Sequence, residues 1–363
     1  MSWKFVITWT KSPNQNFEED NRGWQKKKVR THTEEEKQLT HNIRNELKNL
    51  NKELYIGPKA ILKYIRRNKQ KYKNDKNVNI NSINISFIIN TLKELGLSKP
   101  HKKKTKGCSQ YQHYPKLLIN QIGELILEID FIQRFIKGQT EPIHFIGFSC
   151  KKLNFRQYKR ISAQTNINVI KALKWFFDNF FIPDVIKMDN DPAFIGSNSA
   201  KRTISQTIKF LFYKKVISIF TNPRNPWNNG SIEGSNSVFA RNFWNKFEFN
   251  STKDIDLKLK LFNQSSLEYS DYEQNKFQNK KNKSFIPQIY FIRKVQESQK
   301  NGKGEINILN DKINIPDEYI NLYTLSQWNL KTETLYVYFE KEQMKILIKK
   351  IKFQINKNCK INI

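Results

Sequence analysis

Residues 185–194 read Val-Ile-Lys-Met-Asp-Asn-Asp-Pro-Ala-Phe. Residues 185–188 make a short apolar run of strand type, and Asn190-Asp191-Pro192 supplies turn chemistry directly after it. Upstream, LILEID at 125–130 is a second such run, also closed by an aspartate. Downstream, NPWNNGSIEG at 225–234 holds the strong turn signal Asn229-Gly230. Ser231 is placed to cap a helix, which puts Glu233 in its first turn. Working outward, strands are expected at 125–131 and 142–149, with a short third at 155–158. A helix follows at 165–180, with Ile170, Leu173 and Phe177 in register. Ile204, Ile208, Leu211 and Phe212 mark another helix, and 216–220 another strand. Strands first, then alternating helix and strand, predict an α/β fold: a mixed sheet flanked by helices over residues 118–268.

The flanks differ. Residues 1–30 form a mostly polar tail ending in Lys26-Lys27-Lys28. Residues 31–100 predict three short helices. Thr33 and Glu36 have capping-box spacing, and Leu39, Ile43, Leu47 and Leu50 recur near every fourth residue. Gly57-Pro58 starts the second helix, and Ile61, Leu62 and Ile65 share its face. The third carries Ile85, Ile88, Ile89, Leu92 and Leu95, with Gly96 as its cap. Ser82, Ser86, Asn90 and Lys93 lie off that stripe, as on the reading face of a DNA-binding helix-turn-helix; a plain helical bundle has the same pattern. Residues 101–117 are a basic linker, whose lysines suit phosphates or simple solvation. Residues 269–302 read as a second linker. Over 303–363, Ile306/Ile308, Ile313/Ile315, Leu335/Val337/Phe339, Ile346/Ile348 and Ile351/Phe353/Ile355 alternate between turns, which predicts a small β domain.

Across the 363 residues, 64 Lys and Arg face 33 Asp and Glu, a net charge of +31. Such a charge calls for a polyanion, and nucleic acid is the first candidate because neutralising phosphates releases counterions. Part of the excess also fits the Lys, Asn and Ile bias of an AT-rich genome. The three cysteines are far apart, and the five histidines do not join them at zinc-ligand spacing. No apolar run approaches ~18 residues, and no amphipathic segment pairs a basic with an apolar face. A soluble, cytoplasmic chain with no membrane partner is expected, associated with the nucleoid if DNA is the ligand.

Three carboxylates stand out against this charge. Side-chain alternation puts Glu128 and Asp130 on one strand face and Ile129 on the other. Taken alone, Asp130 suits a salt bridge, Asp189 or Asp191 suits turn chemistry, and Glu233 suits compensation of the helix dipole. Asp189 is favoured over Asp191 because it sits nearer the strand. Together they offer the oxygen ligands that two Mg²⁺ or Mn²⁺ ions need for phosphoryl transfer.

Asp130 in its strand, Asp189-Asn190 followed by Phe194, and Pro226-Trp227-Asn228-Asn229-Gly230-Ser231-Ile232-Glu233 resemble the integrase-core DDE transposases of bacterial insertion sequences, within the retroviral-integrase superfamily. The resemblance spans roughly residues 118–250. It implies an RNase H-like core with a five-stranded mixed sheet, a helical region that recognises element ends, and a β-rich C-terminal part. It implies that Asp130 bridges two Mg²⁺ (or Mn²⁺) ions, with Asp189 and Glu233 completing their shells. The implied reaction is hydrolysis at the element end, then attack of the freed 3′-OH on target DNA, by a homo-oligomer bound to double-stranded DNA and without a covalent protein–DNA intermediate. Lys187, Asn190, Arg224, Trp227, Asn228, Asn229 and Arg241 are then in reach of DNA. Asp191 stands where many members have Gly, and the N-terminal part is short, as if a first helix-turn-helix were missing or reduced. The absence of a His/Cys zinc module argues for an insertion-sequence transposase over a retroviral integrase. The alternatives are a catalytically inactive DNA-binding derivative and, against the flanking domains, an RNase H-like nuclease.

Overall fold

The computed structural model describes residues 32–50, 55–72, 78–98, 114–136, 138–196, 200–223, 230–273, 285–299, 302–356 and 359. The tail at 1–30, most of the linker at 101–117, and Arg224, Trp227, Asn228 and Asn229 lie outside them. The chain divides into two compact units, residues 1–100 and 101–363.

In the first unit α1 (Glu34–Leu50), α2 (Pro58–Arg67) and α3 (Ile85–Glu94) bury Ile43, Leu47, Ile61, Ile65, Phe87, Ile88 and Leu92. Pro58 opens α2 as expected. Gly96, at φ +64°, closes α3, where Leu97 N donates to Leu92 O at 2.8 Å. The predicted capping box is half made. Thr33 Oγ1 accepts from Glu36 N at 3.2 Å, but the Glu36 carboxylate turns inward. It accepts from Ser82 Oγ (2.9 Å) and Asn79 N (3.2 Å) and lies 2.6 Å from His32 Nδ1. The apolar stripes are also shorter than their spacing suggests, since Leu50 and Leu95 are 64% and 46% exposed.

The second unit starts with α4 (Lys116–Ile122), β1 (Ile126–Phe135), β2 (Pro142–Cys150) and β3 (Phe155–Ile161). It continues with α5 (Asn166–Asn179), β4 (Val185–Met188), α6 (Pro192–Ile195), α7 (Gln206–Tyr213) and β5 (Ile217–Phe220). Then come α8 (Gly230–Phe239), α9 (Thr252–Glu268), β6 (Gln288–Lys294), β7 (Gln296–Glu297), β8 (Gly304–Ile308) and β9 (Asp311–Asn314). Strands β10 (Tyr323–Asn329), β11 (Thr334–Lys341) and β12 (Met344–Lys352) end it.

The expected mixed sheet flanked by helices is present, as β5-β4-β1-β2-β3. It does not stop there. Among the described residues β6 pairs parallel to β5, and β10, β11 and β12 follow antiparallel, giving the order β12-β11-β10-β6-β5-β4-β1-β2-β3. The C-terminal β region is therefore hydrogen-bonded onto the edge of the core sheet, with a small sheet β7-β8-β9 beside it. Strand β6 falls inside 269–302, the stretch that reads as a linker. Its residues Ile289–Arg293 are buried without a break, so the run lacks the period-two alternation that marks a half-buried strand.

Leu127 and Ile129 of β1, with Ile186, Met188 and Phe220, pack on Val169, Leu173 and Phe176 of α5 and on Ile208 and Leu211 of α7. On the opposite face Val185, Ile219, Tyr290, Ile292, Tyr323 and Leu325 pack on Leu118 and Ile119 of α4. Glu340 of β11 accepts from Leu117 N (2.9 Å) and Leu118 N (3.0 Å), satisfying donors that the start of α4 would otherwise leave unpaired. Helix α8 lies over β1 and β2 on this second face, and α9 covers β3.

Candidate active site

The parallel register Glu128↔Lys187 between β1 and β4 places Asp130 beside Asp189 two residues further on. Neighbouring strands run ~4.8 Å apart and i, i+2 side chains share a face, and although Asp189 lies just past the end of β4 its charge still acts on Asp130. One detail departs from the sequence reading: β1 continues to Phe135, so Asp130 is in mid-strand and only Asp189 follows a strand end. Across β1 on the other side, Asp130 is paired with Gly147 of β2. A Cβ on Gly147 would come within 3.2 Å of Asn236 Oδ1 and of Ile232 Cδ1, so the missing side chain lets α8 sit close over Asp130.

Helix α8 brings Glu233 in its first turn, half-buried. Several bonds fix this helix to the sheet. Glu128 Oε2 accepts from Ile232 N at 2.9 Å. Ser149 Oγ lies 2.9 Å from both Ser231 Oγ and Ser235 Oγ, and Tyr158 donates to Ser235 O at 2.7 Å. One residue past Ile232, the Glu233 carboxylate makes no hydrogen bond or ion pair among the described residues. One turn on, Asn236 donates to Asp130 Oδ2 at 2.9 Å. The α-helix gives way to a π turn at Ala240–Trp244.

The site is electrostatically strained. Burial, then the Asp189 and Glu233 carboxylates, push Asp130 up to about 7, against hydrogen bonds from Phe131 N and Asn236 that favour the anion. Burial also raises Asp189, and burial and then Glu128 raise Glu233, which Lys187 partly offsets. None of the three is ion-paired to a cation among the described residues. Lys187, the nearby cation, pairs with Glu128 at 3.2 Å. Asp191 N donates to Asp189 Oδ1 at 3.2 Å, while the Asp191 carboxylate caps α6 by accepting from Ala193 N at 2.8 Å. Each carboxylate thus accepts one backbone N–H, and it is Asp189, not Asp191, whose charge acts on Asp130.

Half-buried carboxylates that repel one another and lack a cation suit a hard, oxygen-seeking divalent ion. Among the described residues no three His, Cys, Asp or Glu side chains stand close enough to hold one ion together. The fit therefore rests on the Asp130–Asp189 pair, with Glu233 as a third anion that acts on Asp130 through space.

The DNA-facing candidates separate. Lys187 is 6% exposed and paired with Glu128, so a cross-strand carboxylate already claims it. Asn190 is also committed: its Nδ2 donates to Thr221 O at 2.6 Å and its Oδ1 accepts from Arg293. Ser82 is buried and donates to Glu36, which removes it from any reading face. Ser86, Asn90 and Lys93 are exposed on α3, and Arg241 is exposed two turns beyond Glu233. Ser82→Ala should cost the helical unit about 1–3 kcal/mol by leaving Glu36 short of a donor, while Asn90→Ala should cost almost nothing; urea unfolding of both variants checks this. Glu128, Asn236 and Arg293 are the site residues that the sequence reading missed. Two had a local signal, since Glu128 is two positions before Asp130 on a strand and Asn236 three after Glu233 on a helix.

No protein-family model matches the chain, and no curated protein matches it. Solved structures do. The catalytic core domain of BIV integrase is 13% identical, with a TM-score of 0.28 over 38% of this chain and 78% of that one. The HTLV-2 integrase catalytic core domain in complex with magnesium (dimeric form) is 16% identical, with a TM-score of 0.30 over 39% and 88%. A simian T-cell lymphotropic virus intasome in complex with PP2A regulatory subunit B56 gamma is 10% identical, with a TM-score of 0.33 over 80% and 96%. These likenesses are weak, and the function is argued from the site's own geometry. Among the described residues no helix is long and apolar enough to cross a membrane.

Proposed function

We propose that the chain is a divalent-metal-dependent DNA transposase that cleaves the ends of a mobile element and joins them to target DNA. The observation that carries this reading is the β1–β4 register, which brings the half-buried Asp130 and Asp189 together beneath the helix bearing Glu233. Asp130, Asp189 and Glu233 would hold Mg²⁺ or Mn²⁺, which when bound activates the attacking hydroxyl and stabilises the leaving oxygen of the phosphodiester. The chain's own residues prepare that site. Asn236 orients Asp130, Glu128 anchors the first turn of α8, and Asp191 fixes the turn after Asp189. To hold an ion, Asp130, pushed up to about 7, would have to give up any proton it carries, so loading would release protons.

The DNA partners in this reading are the element ends and the target, held by a homo-oligomer. Exposed Ser86, Asn90 and Lys93 face the element end, and Arg241 supports the reacting strand. The net charge of +31 supports a polyanionic partner. The deciding experiment incubates the full chain with duplexes carrying the element's own ends, a target plasmid and Mg²⁺ or Mn²⁺. Metal-dependent nicking and joined products are expected. Tight binding without cleavage would leave the DNA-binding derivative as the function. The logarithm of the affinity should fall linearly with the logarithm of salt, with a slope of about −0.9 per phosphate neutralised; a flat response would count against phosphate contacts.

A further inference from the structure

Arg293 of β6 is 4% exposed, and its guanidinium touches no carboxylate among the described residues. Removing such a cation from water costs several kcal/mol, and an apolar side chain of similar volume would pack there without that cost. The sheet keeps it by spending its donors on four acceptors. Nε donates to Asn307 O of β8, Nη1 to Thr221 O and Ile292 O, and Nη2 to Asn190 Oδ1, each at 2.8 Å. Burial lowers the guanidinium only to about 9, so it stays charged at neutral pH.

Two of these contacts close on one another through a third bond. Thr221 O accepts from Arg293 and also from Asn190 Nδ2 at 2.6 Å, and Thr221 N donates to Met188 O at 3.0 Å. The side chain next to Asp189 is thus clamped from both ends of its amide, and the strand end before it is tied to the same residue. Sheet hydrogen bonding stops at Met188, so without this clamp the Asp189 peptide would be set by turn geometry alone.

We propose that Arg293 is the positioning residue of Asp189: working through Asn190, it fixes the carboxylate for a divalent ion and makes β6 and β8 part of the metal site. The inference rests on the proposed metal-dependent function and assigns a role to a strand that the sequence reading leaves in a linker. Arg293 lies about a hundred residues from Asp189 in sequence, and only the parallel β5–β6 pairing brings them together.

The test uses the full chain. Mn²⁺ affinity is read from the paramagnetic signal of free Mn²⁺, and kcat and KM for DNA joining are read separately. Asn190→Ala cuts the clamp but leaves the three carbonyl partners of Arg293 in place. It should weaken Mn²⁺ binding and lower kcat by about 10–100-fold, with KM for DNA unchanged. Arg293→Lys, which keeps the charge but loses the fork, should fall in the same range. The double variant should be no worse than the weaker single, because both cut one relay. Trp328→Phe, a buried change that removes the bond to Phe353 O, should lower the melting temperature and leave Mn²⁺ affinity alone. Wild-type Mn²⁺ affinity in Asn190→Ala, or multiplying losses in the double variant, would overturn the proposal. A wild-type chain that binds Mn²⁺ but joins no DNA would overturn the transposase reading and leave the Arg293 result standing on affinity. A wild-type chain that binds no Mn²⁺ would overturn both.

Discussion

Asp130→Asn in the full chain, at saturating Mg²⁺, should lower strand transfer by about 10³-fold or more and leave DNA affinity within about twofold. The amide is a poor ligand for a hard ion, and the change removes one charge from the pair that register has built. Asp189→Asn and Glu233→Gln should act in the same direction. DNA affinity should hold because it comes from exposed Lys and Arg side chains rather than from these acids. Asp191→Asn is the informative neighbour. Asparagine caps a helix as well as aspartate does, so this variant should stay within about threefold of wild type if Asp191 serves α6 alone. Joined products on a denaturing gel, with affinity from fluorescence anisotropy, separate these outcomes. Wild-type joining by Asp130→Asn would remove the site assignment; a loss in Asp191→Asn equal to that in Asp189→Asn would bring Asp191 into the metal shell.

The parts of this site that were legible in the sequence carry local signals. Asp130 ends the run LILEID, Asp189 precedes a turn of Asn, Asp and Pro, and Glu233 follows Asn229-Gly230, although the helix already starts at Gly230 and Ser231, expected as its cap, lies inside it with its hydroxyl beside Ser149. The five core strands could be read for the same reason. What could not be read is nonlocal. Lys187 looks like a free cation in a basic chain until the β1–β4 register sets it opposite Glu128. Ser82 looks like a polar residue off an apolar stripe until Glu36 comes within 2.9 Å of it. β6 was hidden because strands buried on both faces carry no alternation, and it passed for part of a linker. With it went the attachment of the C-terminal strands to the core sheet, and with that attachment Arg293.

Without divalent ion, the second unit should lose stability as pH rises, the reverse of the usual behaviour of proteins rich in paired carboxylates. An acid whose pKa rises on folding binds more protons in the folded chain, so its contribution is present below the unfolded value and is lost as pH climbs through the folded one. For Asp130 that window runs from 3.8 to about 7, and the loss across it is at most about 4 kcal/mol. Asp189 and Glu233 are raised as well and steepen the same slope. The helical unit behaves oppositely. Burial would raise Glu36, but bonds from His32, Ser82 and Asn79 N hold it below 4.5, so its contribution is lost only as pH falls through that lower value. Measurements between pH 5 and pH 8 therefore lie above the Glu36 transition and across that of Asp130. Urea unfolding in EDTA, followed through buried Trp328, should give a lower midpoint at pH 8 than at pH 5. Asp130→Asn should flatten that difference and be the more stable chain at pH 8, because it removes the carboxylate repulsion that the wild type keeps. Millimolar Mg²⁺ should restore wild-type stability at pH 8 by binding the folded state alone, and should do nothing for Asp130→Asn. A midpoint independent of pH in EDTA, or equal protection of both chains by Mg²⁺, would mean that the carboxylates are not held against one another as the β1–β4 register requires.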